Sequence, residues 1–223
     1  MANPGVGQFF HGGDRLAESV WVVVDPRDLV TGQRVSGPLQ VRLKSLTPQP
    51  IAARSGVYCF VDLALPPAKY VVQVQPLSRN RERYFAAERE LNLVNVPVPG
   101  QPLQRNPIRI ELLPRPDYPF EAQFTLARGR LVKASDATPV PNARVVLILE
   151  GTDLGRRGQT DERGAFALCF PRAAPGTNPA DAPKDLTFEL RFEIVGGPSH
   201  TTPPSVLREG TTKALDPIQF PGI

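Results

Sequence analysis

The sequence predicts an all-β protein of two tandem antiparallel β-sandwiches joined by a proline-rich connector. Three observations point there. Proline (26 residues) and glycine (18) are heavily used, which disfavours long helices and suits short strands between turns. Apolar residues recur at every second position in several runs, the signature of half-buried strands. The pattern breaks at Leu113-Pro-Arg-Pro-Asp-Tyr-Pro119, a stiff extended stretch of the kind that separates domains, and then restarts. A chain of 223 residues divides into two units of about 110, each large enough to bury a core. Disorder, the other reading of abundant proline, fails because 41% of residues are hydrophobic and lie in patterned runs.

In order, residues 1–18 are Gly-rich and read as an arm. Val20 to Asp25 reads as a strand closed by Pro26. After the Thr31-Gly32 turn, Leu39, Val41 and Leu43 alternate with Gln40, Arg42 and Lys44. Ser55-Gly56 turns the chain into Val57–Val61, and Tyr70, Val72 and Val74 share one face of the next strand. Residues 82–90 suggest one or two helical turns, followed by strands at Leu91–Asn95 and Ile108–Leu112. Beyond the connector, strands are expected at Phe124–Val132, Ala143–Glu150, Ala165–Phe170 and Thr187–Ile194, with a short one at Ile218–Phe220. The resulting domains are an arm (1–18), a first sandwich (19–113), a linker (114–120) and a second sandwich (121–223) with an extended C-terminal tail.

The halves show a weak duplication. Val35 matches Val140, and the next turn glycine follows after 21 residues in one half (Gly56) and 24 in the other (Gly164). Cys59 and Cys169 fall at equivalent positions. In the second half, Arg128-Gly-Arg-Leu-Val132, Thr138-Pro-Val-Pro-Asn-Ala-Arg-Val145 and Thr160-Asp-Glu-Arg-Gly-Ala-Phe166 resemble the carboxypeptidase regulatory-like family, which implies a transthyretin-like or Ig-like sandwich. Each part has a mechanical reason: Gly129 allows another backbone close by, Asp161 can bond its own backbone two residues on, Gly164 supplies a positive φ, and Phe166 enters the core. Gly56 is the corresponding turn residue of the first half, where the fit is looser: Ala53-Arg-Ser-Gly56 replaces the T-D-x-x-G turn, and Pro67-Ala-Lys-Tyr70 has Ala68 where the family has Gly. Two such domains, a Tyr-Pro-Phe connector and no visible signal peptide also resemble accessory proteins of phage-tail-like contractile injection systems.

Chemistry is thinly represented. The two histidines, His11 in the arm and His200 in the tail, read as exposed bystanders, and neither a nucleophile elbow nor a phosphate loop is present. Each cysteine adjoins a phenylalanine in an apolar strand, without a second ligand at zinc spacing, and reads as a buried small hydrophobe. Asp14, Asp25 and Asp28 lack calcium-loop spacing and read as turn formers. No cofactor, metal or catalytic residue is therefore assigned. The net charge of +4 is spread along the chain, and the Arg79-Arg81-Arg83 cluster reads as a solvated loop, which argues against nucleic acid. The longest apolar run, Val20–Val24, is too short to span a bilayer. Cytoplasmic synthesis follows, with residence there or in a released particle.

The expectation is a non-enzymatic assembly protein that contacts partner proteins through sheet edges, the arm 1–18, the loop 171–185 and the tail 196–223. The alternative is a ligand-binding sandwich, with a glycan as the first ligand to consider. Trp21 reads as core, which leaves Tyr84, Phe85, Tyr118 and Phe120 as the candidate aromatic platform; Tyr118 and Phe120 could equally wedge between the domains.

Overall fold

The computed structural model describes residues 8–11, 14–17, 20–44, 46–47, 49–61, 68–93, 107–170 and 183–222. The chain forms two compact units: Met1–Arg81 with Phe85–Leu112, and Glu82–Tyr84 with Leu113–Ile223.

In the first unit, β1 (Gln8–His11) and β2 (Asp14–Ala17) pair as an antiparallel hairpin, so part of the expected arm is ordered as sheet. Then come β3 (Val20–Asp28), β4 (Leu39–Leu43), β5 (Ile51–Ala52), β6 (Tyr58–Val61) and β7 (Ala68–Pro76), a short helix α1 (Arg79–Arg83), β8 (Ala87–Leu93) and β9 (Ile108–Leu112). They build two sheets, β5-β6-β3-β9 and β4-β7-β8. The alternating faces of the strands give the core: Val22 and Val24 from β3, Val41 and Leu43 from β4, Phe60, Val72, Val74, Ile110 and Leu112, all buried.

Two expectations are corrected here. Pro26 does not close the first strand; β3 runs through it to Asp28, pairing in parallel with β9. Its carbonyl, on the side away from β9, accepts from Val35 N–H. The ring therefore replaces an amide that the β9 ladder does not use. The helical turns expected at 82–90 sit earlier, at Arg79–Arg83, where buried Asn80 donates to the Ser36 carbonyl at 3.1 Å. Ala87–Leu93 has helix-forming composition but pairs with β7 along its whole length, so cross-strand pairing overrides propensity.

The second unit contains β10 (Leu126–Lys133), β11 (Arg144–Leu149), β12 (Thr152–Gln159), β13 (Ala165–Cys169), β14 (Asp185–Glu193), β15 (Ser199–Thr201), β16 (Ser205–Arg208), β17 (Thr212–Ala214) and β18 (Ile218–Phe220). One sheet runs β13-β10-β17, with β18 also on β10; the other runs β12-β11-β14-β15, with β16 also on β14. Between them, Leu131, Val145, Leu147, Phe166, Phe170, Phe188, Leu190, Phe192 and Phe220 form one hydrophobic core. Full burial of each such side chain contributes about 1.5–3 kcal/mol. Phe166 meets Phe192 edge-on at 5.3 Å, and Phe170 meets Phe188 at 5.1 Å.

β12, whose Thr-Asp-Leu-Gly-Arg-Arg-Gly-Gln has no alternation, is not foreshadowed by the residue pattern. It forms as the return strand from β11, with a register shift opposite Val146–Ile148. Gly158 lies against the Ala167 carbonyl of β13, so β12 folds over the edge of the other sheet. The tail, where only the Ile218–Phe220 strand is expected, also contributes β15, β16 and β17, so residues 199–220 weave into both sheets. Of the loop 171–185, residues 171–182 lie outside the described residues.

The two units share a pairing scheme. A first long strand (β3, β10) has an antiparallel neighbour (β6, β13) and a parallel one (β9, β18), and the facing sheet is built on an antiparallel pair (β4–β7, β11–β14). Val35 and Val140 are both buried just before β4 and β11, and Cys59 and Cys169 lie in β6 and β13. The parallel pairs qualify the expectation of purely antiparallel sandwiches.

Candidate functional site

The Thr160–Gly164 turn leads into the best-defined site. Thr160 is fully buried; its Oγ1 accepts from Ala143 N–H and donates to the Val140 carbonyl, both at 2.8 Å. Asp161 Oδ1 accepts from the backbone N–H of Arg163 and Ala165, and Oδ2 from the Arg163 guanidinium. Gly164 has φ +70°, and a β-carbon there would strike the Leu131 carbonyl oxygen. Gly129, expected to admit another backbone, lies inside β10, and the group against it is the Phe166 ring and not a backbone. Gly56 lies in the turn between β5 and β6, where its N–H bonds the Ala53 carbonyl.

Beside this turn lies a groove of about 400 Å³, walled by Pro116, Asp117, Arg128, Arg130 and Arg163. Its geometry follows from strand periodicity. Ala127 and Leu131 belong to the core, so Arg128 and Arg130 point to the opposite face of β10. Their cross-strand neighbours are small: Ala167 and Ala214 beside Arg128, Ala165 beside Arg130. Arg128 donates to the Pro116 carbonyl at 3.2 Å and stands 5.2 Å over the Phe120 ring. Arg130 Nε donates to the Arg163 carbonyl at 3.2 Å. Neither has a carboxylate partner among the described residues. Their neighbours do: Arg163 bonds Asp161 and Asp117, which raise its pKa further, and Arg115 bonds Glu162, holding that carboxyl below its usual range.

The expected aromatic platform does not form. Tyr84 and Phe85 are 7% and 6% exposed, so their rings belong to packed interiors. Tyr84, Tyr118 and Phe120 make an edge-to-face series with centroids 5.5 and 4.8 Å apart. Rings tilted by about 60° to one another offer no common stacking plane. The side chain of Trp21 lies outside the described residues.

Other candidates are relocated. Asp28 does form a turn, accepting from Val30 and Thr31 N–H. Asp25 does not: buried on β3, it accepts from Arg27 at 2.7 and 2.9 Å and from Arg34 at 2.7 Å. Burial pushes its carboxyl up, but the hydrogen bonds and charges of the two arginines prevail and hold it below the usual value. Cys169 is buried as expected, whereas Cys59 is half-buried, and burial still raises its thiol pKa. His200 is half-buried on β15, its ring 5.9 Å from Phe220, at the wall of a second cavity of about 560 Å³ that also touches Thr202, Ser205, Lys213 and Asp216. The side chains of His11 and Asp14 lie outside the described residues. Arg79, Arg81 and Arg83 are exposed on α1. Among the described residues, no group of three or more His, Cys, Asp or Glu is placed to hold a metal ion. No helix among them is long and apolar enough to cross a membrane.

The arginine groove was missed because its signal is relational. Arg128 and Arg130 stand out only once their neighbours are seen to carry the available carboxylates.

No protein-family model and no curated protein matches the chain. Among solved structures, it is similar to the Bacillus anthracis TIE protein at 13% identity and TM-score 0.32, covering 92% of this chain and 34% of that one. It is also similar to BcpA, the major pilin subunit of Bacillus cereus (10%, TM-score 0.26, covering 89% and 59%), and to a streptococcal ancillary pilin (11%, TM-score 0.27, covering 88% and 62%). The chain spans about a third of the first and about three-fifths of the other two.

Proposed function

We propose that this chain is a non-catalytic structural protein that docks onto partner proteins of a larger assembly. The observation that carries the reading is the pair Arg128 and Arg130, on the outer face of β10 and facing a groove, with no carboxylate partner of their own among the described residues. Such a surface supports a recognition role. The buried ionisable side chains, by contrast, hold the fold: Asp25 ties Arg34 to β3 and orders Arg27 on the same strand, and Asp161 builds the turn before β13. The second unit is read as a carboxypeptidase regulatory-like domain, which the Asp161 turn and the buried Phe166 support. The resemblance to accessory proteins of contractile injection particles makes sheath, tube and baseplate subunits the first partners to seek.

The test is affinity purification of the tagged chain from its native host, read by cross-linking mass spectrometry and negative-stain microscopy. Stoichiometric recovery with the repeating subunits of a large particle is the expected result. Elution as a lone monomer, with no cross-links, overturns the reading.

A second reading, a small-ligand module, is favoured by the 560 Å³ cavity, whose wall combines Phe188 and Ile218 with Thr202, Lys213 and Asp216. Both charge signs on an apolar floor suit a neutral polyhydroxy ligand such as a sugar. Glycan-array binding lost on Asp216→Ala supports it, and a flat array removes it.

A further inference from the structure

We infer that the groove beside β10 takes an extended acidic peptide segment, with carboxylates at alternate positions, from a partner protein. The inference rests on the assembly role proposed above and assigns the chemistry of one contact within it. Arg128 and Arg130 are separated by one residue on a regular strand, so their side chains leave the same face about 6.5–7 Å apart. A peptide in extended conformation repeats its same-face side chains at that spacing. Glutamates or aspartates at i and i+2 therefore match the spacing at which the two arginine side chains leave the strand, and each carboxylate can accept a two-point hydrogen bond.

The surroundings favour that occupant over an isolated anion. Ala165, Ala167 and Ala214 flank the arginines across the ladder, so the neighbouring strands do not crowd the two cations. The hydrogen bonds they already make go to backbone carbonyls of Pro116 and Arg163, which aim the guanidiniums without neutralising them. Arg130 is exposed and Arg128 half-exposed, so both can be reached. Asp117 stands on the rim, but it is engaged by Arg163 at 2.9 Å.

The test uses the full chain and a fluorescent peptide of five Thr-Glu repeats, followed by anisotropy. Binding is expected, weakened by about tenfold or more on Glu→Gln substitution throughout the peptide, by the same order in Arg128→Gln/Arg130→Gln, and progressively by added salt. Because Arg128 packs on Phe120, Arg130→Gln alone provides a variant confined to an exposed side chain. Its melting temperature is expected to match the parent while binding falls. Equal affinity for the Glu and Gln peptides, unchanged affinity in Arg130→Gln and the double variant, or no binding of the Thr-Glu peptide overturns the proposal. Displacement of the peptide by heparin at a much lower concentration also overturns it, and transfers the groove to sulfated glycans. Particle subunits that co-purify equally with the parent and the double variant would remove the groove while leaving the assembly role intact; a parent chain with no partner removes the role itself.

Discussion

Leu131 and Gly164 are locked together twice. Leu131 N–H donates to the Gly164 carbonyl at 2.8 Å, and the Leu131 carbonyl oxygen lies 2.4 Å from where a β-carbon on residue 164 would stand. With φ at +70°, Gly164→Ala adds a backbone penalty to a clash with a central strand, and a loss of about 2–4 kcal/mol is expected in urea denaturation. Gly151→Ala, at φ +77° with nothing within 4 Å, should show the backbone part alone, about 1 kcal/mol. Equal losses at the two positions would contradict the clash.

The buried hydroxyl of Thr160 bridges Ala143 N–H and the Val140 carbonyl. Thr160→Val keeps the shape and strands both groups, at about 1–3 kcal/mol each. Thr160→Ser keeps the bridge and should lose less than half as much. Thermal melts of the three proteins decide this.

Asp25 sets an acid limit on the first unit. Its carboxyl is held below the usual range, so its contribution is fully present above about pH 4 and is lost as pH falls through the lowered folded value. Asp25→Asn is expected to cost about 1.5–3 kcal/mol at neutral pH. The gap to the parent should close on acidification, as seen in denaturation midpoints between pH 7 and pH 2. A gap independent of pH would show that the charge does not matter.

Burial raises the Cys59 thiol above its ordinary pKa, and Cys169 is more deeply enclosed. Alkylation by iodoacetamide at pH 8 should be slower for both in the native protein than in urea, with Cys169 the slower. Equal rates in the two conditions would show that the thiols are accessible.

The fold class was legible because strand periodicity is local. Phe188, Leu190 and Phe192 alternate with Glu189 and Arg191, and the burial of β14 follows that alternation. Asp161 and Gly164 were legible for the same reason, since an Asx turn is written within four residues. Asp25 was not: Asp25-Pro26 has the composition of a turn, and only Arg34, nine residues on, makes it the anchor of an ion-pair cluster. β12 and β17 have too little apolar pattern to be seen alone and exist as partners of β11 and β10. The arginine groove depends on contacts between segments far apart in sequence, Arg128 with Pro116 and Arg130 with Arg163, which no local pattern encodes.

In each unit an early strand lies parallel to a late one: β3 beside β9, and β10 beside β18. Tension applied to the start of one and the end of the other acts at opposite ends of the shared ladder. The backbone bonds between them are then loaded together, sliding past one another, and cannot open singly like a zipper. Resistance to pulling is thereby concentrated along Val24–Asp28 and Leu131–Lys133, and the force each unit withstands is set by the joint rupture of those bonds and not by its equilibrium stability.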